Sequence, residues 1–340
     1  MVHSRRKNID IKGEDGDMKI TSIIRTCKRN NFLKECLASI SCQSYNNWEA
    51  IIFDDSGDSE TQKIILDFKK YHPDKRIVYV TSFLSYGLHG ESFRYQTFLS
   101  EGDIIFRTDD DDILPEYTFS KLLEIYEDES IDFSFGSCCR FEDENKNVFG
   151  ITYNKSPLEF KTKRAWAPYT IQNNSPWSDP WHWIDDYYSE ESPFTSINHA
   201  SRANYMCLFQ SYSFRKSSLE NKIIDKIEFP LSTLCDDLEF LGALEYLGFR
   251  YAVVKDILTM FRNHSSPKIT GNNTVAQSGL GWLEEINRVR NKIDALRPDD
   301  FITSHKIFGE EDQTIESLQV LLDNSFLSIN KKINEIWNNQ

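Results

Sequence analysis

Long apolar runs are missing from this 340-residue chain: nothing approaches the roughly 20 residues that cross a bilayer, so any membrane contact is expected to be peripheral. Positive charge is scarce too. Lys and Arg number 39 against 53 Asp and Glu, a formal net charge of −14, and the one basic cluster is Arg5-Arg6-Lys7. Such a chain repels a nucleic-acid backbone, so no nucleic-acid partner is expected. No glycine-rich Walker loop with its lysine occurs, nor any internal repeat or low-complexity tract. The seven cysteines, Cys27, Cys36, Cys42, Cys138, Cys139, Cys207 and Cys235, are odd in number and lack paired zinc-type spacing. That usage suits a reducing cytoplasm, and the adjacent Cys138-Cys139 reads as a strand with one thiol on each face. Residues 1–17 are charged, with almost no apolar content; they lack the apolar stretch of a secretory signal and read as a disordered lead-in.

What the chain does have is four consecutive aspartates, Asp109 to Asp112, where the apolar run Gly102-Asp-Ile-Ile-Phe-Arg-Thr108 gives way to the turn Ile113-Leu-Pro-Glu116. Alternation along a strand puts Asp109 and Asp111 on one face, offering hard oxygen ligands to Mg²⁺ or Mn²⁺. The plainer reading is a solvated acidic turn in which Asp112 caps a helix beginning near Pro115 and Glu116.

The surrounding pattern favours a ligand site. Lys19-Ile-Thr-Ser-Ile-Ile-Arg25 reads as a buried strand, and Phe32 to Ser44 as a helix with Phe32, Leu33, Cys36, Leu37 and Ile40 on its apolar side. A strand over Trp48 to Phe53 runs into Asp54-Asp55-Ser56-Gly57; a helix over Thr61 to Tyr71 and a strand over Arg76 to Val80 follow. A further helix, Ser92 to Ser100, leads into the aspartate strand. This alternation implies a parallel sheet with right-handed crossovers, whose ligands collect at the carboxyl ends of the strands. Thr26, Asp54-Asp55 and Asp109 to Asp112 all fall there. From Ile131 the alternation stops: Ile131 to Gly136 and Asn147 to Thr152 suggest an antiparallel continuation of the sheet. Residues 166–195 are rich in Trp and Tyr, Leu234 to Leu247 reads as a helix, Phe249 to Lys255 as a strand, and Val275 onward as mostly amphipathic helix broken at Arg297-Pro298.

Three segments carry a family resemblance: Ile23-Ile-Arg-Thr-Cys-Lys-Arg29, Gln43 to Asp58 with its Phe53-Asp-Asp-Ser-Gly57, and Glu101-Gly-Asp-Ile-Ile-Phe-Arg-Thr-Asp-Asp-Asp-Asp112. Together they resemble a family-2 glycosyltransferase of the GT-A fold. The resemblance implies a Rossmann-like mixed α/β sheet flanked by helices over 18–270, with 18–130 as the nucleotide-sugar and metal half and 131–270 as the acceptor half. Residues 271–340 would form a C-terminal helical extension. It further implies that Thr26 and Arg29 lie where the nucleotide is held, that Asp55 meets its base or ribose, and that Arg94 faces the donor. Asp109 to Asp112 stand for the Asp-x-Asp motif: Asp111 is the first choice as metal ligand, Asp109 touches metal or sugar, and Asp110 is counted with the donor site. In Met260-Phe-Arg-Asn-His264, by the same resemblance, His264 completes the metal shell and the arginine meets phosphate. Asp237, in Leu234-Cys-Asp-Asp-Leu-Glu-Phe240, matches the family's catalytic base; helix capping by Asp236 or Asp237 is the alternative. Asp-Asp-Ser-Gly departs from the family's Asp-Asp-Gly-Ser. The Gln-x-x-Arg-Trp signature of processive synthases is absent, which favours single transfers.

The expected protein is thus a cytoplasmic, metal-dependent, inverting glycosyltransferase, using Mn²⁺ or Mg²⁺ and a nucleotide-diphosphate sugar to modify a carbohydrate or glycoconjugate. Trp177, Trp181 and Trp183 offer ring faces to an acceptor sugar, or else pack in a core or interface, and the C-terminal helices offer a route to oligomers. The rivals are a metal-dependent nucleotidyl- or phosphotransferase and a non-enzymatic acidic sugar- or calcium-binding module, although Ile113-Leu-Pro115 does not continue an EF-hand loop.

Overall fold

The computed structural model of the chain describes residues 18–81, 95–153, 169–172, 211–222, 250–264, 305–310 and 312–338. Its centre is four parallel strands: β1 (Ile20–Thr26), β2 (Trp48–Asp54), β3 (Ile77–Thr81) and β4 (Ile104–Asp109), side by side in the order β4-β1-β2-β3. All of β2 is buried, and so is β1 apart from Arg25, as expected of strands covered on both faces. The register aligns their carboxyl ends: Thr26 lies opposite Asp54, and Arg25 opposite Asp109.

The crossover helices form where the apolar spacing puts them. In α1 (Asn30–Ser41), Leu33, Cys36, Leu37 and Ile40 recur at helical period and are all buried. In α2 (Ser59–Tyr71), Thr61, Ile64, Ile65 and Phe68 are the buried set. The Asp58 side chain caps α2 by accepting from the Thr61 N–H at 3.1 Å. Gly57, at φ +59°, makes the reversal before it. At the amino ends of the strands, Glu49 is fully buried and accepts hydrogen bonds from Thr21 Oγ1 (2.6 Å), Arg76 (2.9 Å) and the Glu101 and Gly102 amides (2.5 and 3.0 Å). Gly102 has no room for a side chain: a Cβ would lie 2.8 Å from the Lys19 carbonyl.

Beyond β4 the sheet becomes mixed. β8 (Tyr212–Arg215) runs antiparallel between β4 and β5 (Phe133–Glu142), and β9 (Tyr251–Asn263) runs parallel to β5 along its length. The far half of β5 also pairs with β6 (Val148–Tyr153), which pairs with β7 (Tyr169–Gln172). The antiparallel continuation expected from sequence is present in β6 and β8 but not in β9. β9 also extends well past Lys255, carrying Met260 to Asn263 into the sheet. α3 (Thr118–Tyr126) packs beneath it, and the short α4 (Lys216–Lys222) follows β8.

The C-terminal residues belong to the same body. β10 (His305–Phe308), in a stretch expected to be helical, adds an edge strand to β9. α5 (Ile315–Ile333) buries Leu318, Leu322 and Ile329 in one cluster with Ala38, Ile113, Phe141 and Met260. A π-helical turn, Asn334–Asn338, closes the chain onto α2, where Trp337 Nε1 donates to the Ile64 carbonyl at 3.1 Å. Cys138 and Cys139 are both fully buried, and the five cysteines among the described residues are all free. No described helix is long and apolar enough to cross a membrane.

Candidate active site

β4 ends at Asp109, and the next residues form a turn in which the Asp112 N–H donates to the Asp109 carbonyl at 3.2 Å. The expected strand alternation therefore does not set the geometry. The turn does, folding Asp112 back so that Asp109, Asp111 and Asp112 each bring one carboxylate oxygen within 4.8 Å of the others. Asp112 is not a helix cap: α3 starts only at Thr118, and its cap position, Tyr117, makes no side-chain cap bond. Asp112 is instead 0% exposed and accepts from the Arg262 N–H at 3.1 Å, while its second oxygen is buried without a protein partner.

Arg29, at the start of α1, pairs with both Asp110 and Asp111. His264, just past β9, sets Nε2 3.0 Å from Asp111 Oδ2 and lays its ring against Phe32, centroids 4.7 Å apart. Its Nδ1 is buried with no partner. Burial pushes the Asp110 carboxyl up to about 7, reinforced by Asp111 and Asp109 and opposed by Arg29. Burial and the same neighbours raise Asp112 well above the ordinary carboxylate value. Asp111 is partly buried, but the His264 hydrogen bond and the Arg29 charge outweigh that cost and hold it below the ordinary value. The cluster is short of positive charge, and a set of hard oxygens that includes one orphaned buried oxygen is chemistry that fits a divalent ion.

One strand over, Asp54 and Asp55 divide their work. Asp54 is fully buried and builds the turn, accepting from Ser56 N (2.8 Å), Ser56 Oγ (2.5 Å) and the Tyr79 hydroxyl (2.9 Å). Asp55 stands just past the end of β2. It is paired with Arg25 Nε at 2.5 Å and tied to β1 by its N–H to the Thr26 carbonyl at 3.0 Å. Burial raises its carboxyl despite the Arg25 charge.

The structure brings Thr26, Arg29, Asp109, Asp110, Asp111 and His264 together, with Asp55 on the neighbouring strand end. Arg94, Asp237, Trp177, Trp181 and Trp183 lie outside the described residues. The Met260-to-His264 motif divides differently from the expectation: the Arg262 side chain is 0% exposed, and its nitrogens face protein acceptors rather than a phosphate. Arg107 was not singled out from sequence, yet two residues before Asp109 it shares that strand face. It donates to the Tyr212 hydroxyl at 2.6 Å and lies 3.5 Å from Asp109 Oδ1. Nothing in the sequence pointed to Tyr212, Glu35 or Asp143, which reach the site through tertiary packing.

Comparisons with known proteins give the fold and the family. The chain's arrangement matches that of S. aureus TarS residues 1–349, solved with UDP-GlcNAc, at a TM-score of 0.53 and 14% identity over 94% of this chain and 73% of that one. It matches a mannosyltransferase from Pyrobaculum calidifontis, solved with GDP-Man and Mn²⁺, at a TM-score of 0.50 and 14% identity over 93% and 74%. At those identities the likeness is one of fold, and the fold is GT-A. Protein CgeD of Bacillus subtilis is 27% identical over 112 residues, 31% of this chain, which spans only 26% of CgeD. The family description Glycosyl transferase family 2 matches residues 21–215, from β1 through the aspartate turn to β8. With more than half its length in that match, the chain belongs to glycosyl transferase family 2.

Proposed function

We propose that the protein is a metal-dependent, inverting glycosyltransferase that moves one sugar from a nucleotide-diphosphate donor to a carbohydrate or glycoconjugate acceptor. The observation that carries this reading is the convergence of Asp109, Asp111 and Asp112 oxygens within 4.8 Å at the end of β4, with His264 on Asp111. Asp111 and Asp109, with Asp112 and His264 beside them, would hold Mn²⁺ or Mg²⁺. Bound there, the ion supplies positive charge against the diphosphate as it leaves.

The chain's own residues supply the rest. Asp55 accepts from a base N–H or ribose hydroxyl, as acidic strand-end residues do in dinucleotide sites, and Arg29, freed from part of its aspartate contact, faces the phosphates. By the family resemblance, Arg94 contacts the donor. Asp237 takes the proton of the acceptor hydroxyl, whose oxygen attacks the anomeric carbon in line. The bond from that carbon to the diphosphate oxygen breaks, the nucleoside diphosphate departs, and the anomeric configuration inverts. Trp177, Trp181 and Trp183 stack on the acceptor sugar. The chain works in the cytoplasm, at most peripheral to a membrane.

Incubation with a panel of nucleotide sugars, with and without carbohydrate acceptors, tests the reading. Nucleoside diphosphate released only when an acceptor is present supports it. Release of pyrophosphate or transfer of phosphate points to the nucleotidyl- or phosphotransferase alternative, and binding without turnover to a binding module.

A further inference from the structure

Arg262 has no part in the reaction just described, yet it is among the most enclosed side chains of the molecule, the residue being 2% exposed. A guanidinium so far from water persists only when paired and hydrogen-bonded. Its partners come from three separate parts of the chain. Its terminal nitrogens donate to Asp143, one residue past β5, and to Glu35 on α1. Its Nε donates to the main-chain carbonyl of Asp111 at 2.7 Å, and its own N–H to Asp112 Oδ1 at 3.1 Å. The rings of Phe32, Phe141 and Phe326, from α1, β5 and α5, surround it with centroids 4.6, 5.1 and 5.8 Å from the guanidinium carbon. Two residues before it, Met260 exchanges main-chain hydrogen bonds with Ile113 at 2.8 and 3.1 Å; two residues after it, His264 reaches Asp111.

We propose that Arg262 is a positioning residue: it holds the Asp111–Asp112 turn closed and thereby sets the affinity of the site for its divalent ion, with Glu35, Asp143 and the three rings as its support. The inference rests on the metal reading of the carboxylate cluster. Three carboxylates with oxygens within 4.8 Å of one another repel, so a turn carrying them needs other contacts to keep it in shape before an ion binds. Arg262 provides two hydrogen bonds and a positive charge there, and it leaves Asp112 Oδ2 without a protein partner. Its forked shape is essential. A lysine keeps the charge but has one compact ammonium in place of a planar fork, and does not serve Glu35, Asp143 and the Asp111 carbonyl together. The contact with Phe326 further makes α5, far along the chain, part of the support of the metal turn.

The test is titration of Mn²⁺ alone, followed by electron paramagnetic resonance of the free ion, into wild type, Arg262→Lys and Glu35→Gln, with the melting temperature of each. Arg262→Lys is expected to fold and to bind Mn²⁺ about tenfold more weakly or worse, the scale of losses when the supports of metal ligands are removed. Glu35 touches none of the clustered carboxylates, and Glu35→Gln is expected to weaken Mn²⁺ binding by a smaller factor. A merely structural arginine would lower the melting temperature and leave the affinity of the folded protein unchanged, and that result overturns the proposal. If Arg262→Lys does not fold, Glu35→Gln decides alone by the same criterion. Wild-type protein that does not bind Mn²⁺ removes the metal reading and this proposal together; tight wild-type binding matched by both variants removes this proposal only.

Discussion

Replacing Asp112 by Asn should make the metal-free protein more stable and the metal-loaded protein less so. Asp112 shares the cluster with Asp109 and Asp111, with carboxylate oxygens no more than 4.8 Å apart. At an effective dielectric near 20, two unit charges at that spacing repel by about 3.5 kcal/mol, so Asp112 faces a gross repulsion of about 7 kcal/mol from its two neighbours. Much of this is already relieved. Burial and the neighbouring charges raise the Asp112 carboxyl toward its protonated form, and Arg262 opposes them. A net gain of about 1–2 kcal/mol for Asp112→Asn is reasonable, which at about 2–4 °C per kcal/mol is a rise of several degrees in melting temperature. Because the folded carboxyl lies above its ordinary value, the wild-type penalty is absent at low pH and opens as pH rises; the advantage of Asn should shrink toward pH 4 and be largest near pH 8. Mn²⁺ reverses the order. An ion at a hundred times its Kd adds about 2.7 kcal/mol to wild type, and the variant, short of one anionic ligand, gains less. Scanning calorimetry with and without Mn²⁺ reads both effects. A lower metal-free melting temperature together with an undiminished Mn²⁺ increment would refute the reasoning.

Other outcomes are expected from the proposed reaction and from the described structure. Asp237→Asn should leave donor affinity intact and lower kcat by about two orders of magnitude, with Asp236→Asn much milder; near-wild-type turnover in Asp237→Asn would reassign that residue to helix capping. Gly102→Ala places a methyl 2.5 Å from Thr21 Oγ1 and 2.8 Å from two backbone atoms, and should cost about 1–3 kcal/mol in urea unfolding; an unchanged midpoint would show that the backbone there gives way freely. His72 lies among Trp48, Phe68 and Tyr71, and burial lowers its pKa to about 4. The unfolded chain takes up a proton near pH 6.5 that the folded one refuses, so stability should fall by about 1–2 kcal/mol as pH drops from 6.5 toward 4. His72→Phe should flatten that slope, and parallel pH profiles for the two proteins would count against the assignment.

The parallel half of the fold was legible because its signals are local. Apolar runs of strand length, helical spacing such as Leu33, Cys36, Leu37 and Ile40, and carboxylates at strand ends are all read within a few residues. The strand-end rule also singles out Thr26, Asp54-Asp55 and Asp109 to Asp112 from sequence alone. The mixed half was not legible in the same way. β8 is four residues long and finds its place only by pairing with β4 and β5, which lie far from it in sequence. β10 is equally short and depends on β9. Within the site, the residue types were readable but their division of work was not. Asp54 and Asp55 are adjacent and chemically identical, and only Ser56 and Tyr79 on one side and Arg25 on the other separate a turn builder from a group paired across to β1. Likewise Asp110 and Asp111 differ by which of them His264 meets. Arg262 shows the same limit, because a run of letters near a histidine does not reveal that Glu35 and Asp143 enclose the arginine between them.

The central claim is that strand-end aspartates make sugar transfer depend on a divalent ion. The most direct measurement is nucleoside diphosphate release from a nucleotide sugar in the presence of an acceptor, using protein stripped with EDTA and then resupplied with Mn²⁺. The account predicts no release from stripped wild type, recovery on adding Mn²⁺, and little recovery in Asp111→Asn at the same Mn²⁺ concentration. Full turnover by stripped protein, or an Asp111→Asn variant that recovers as wild type does, would contradict it.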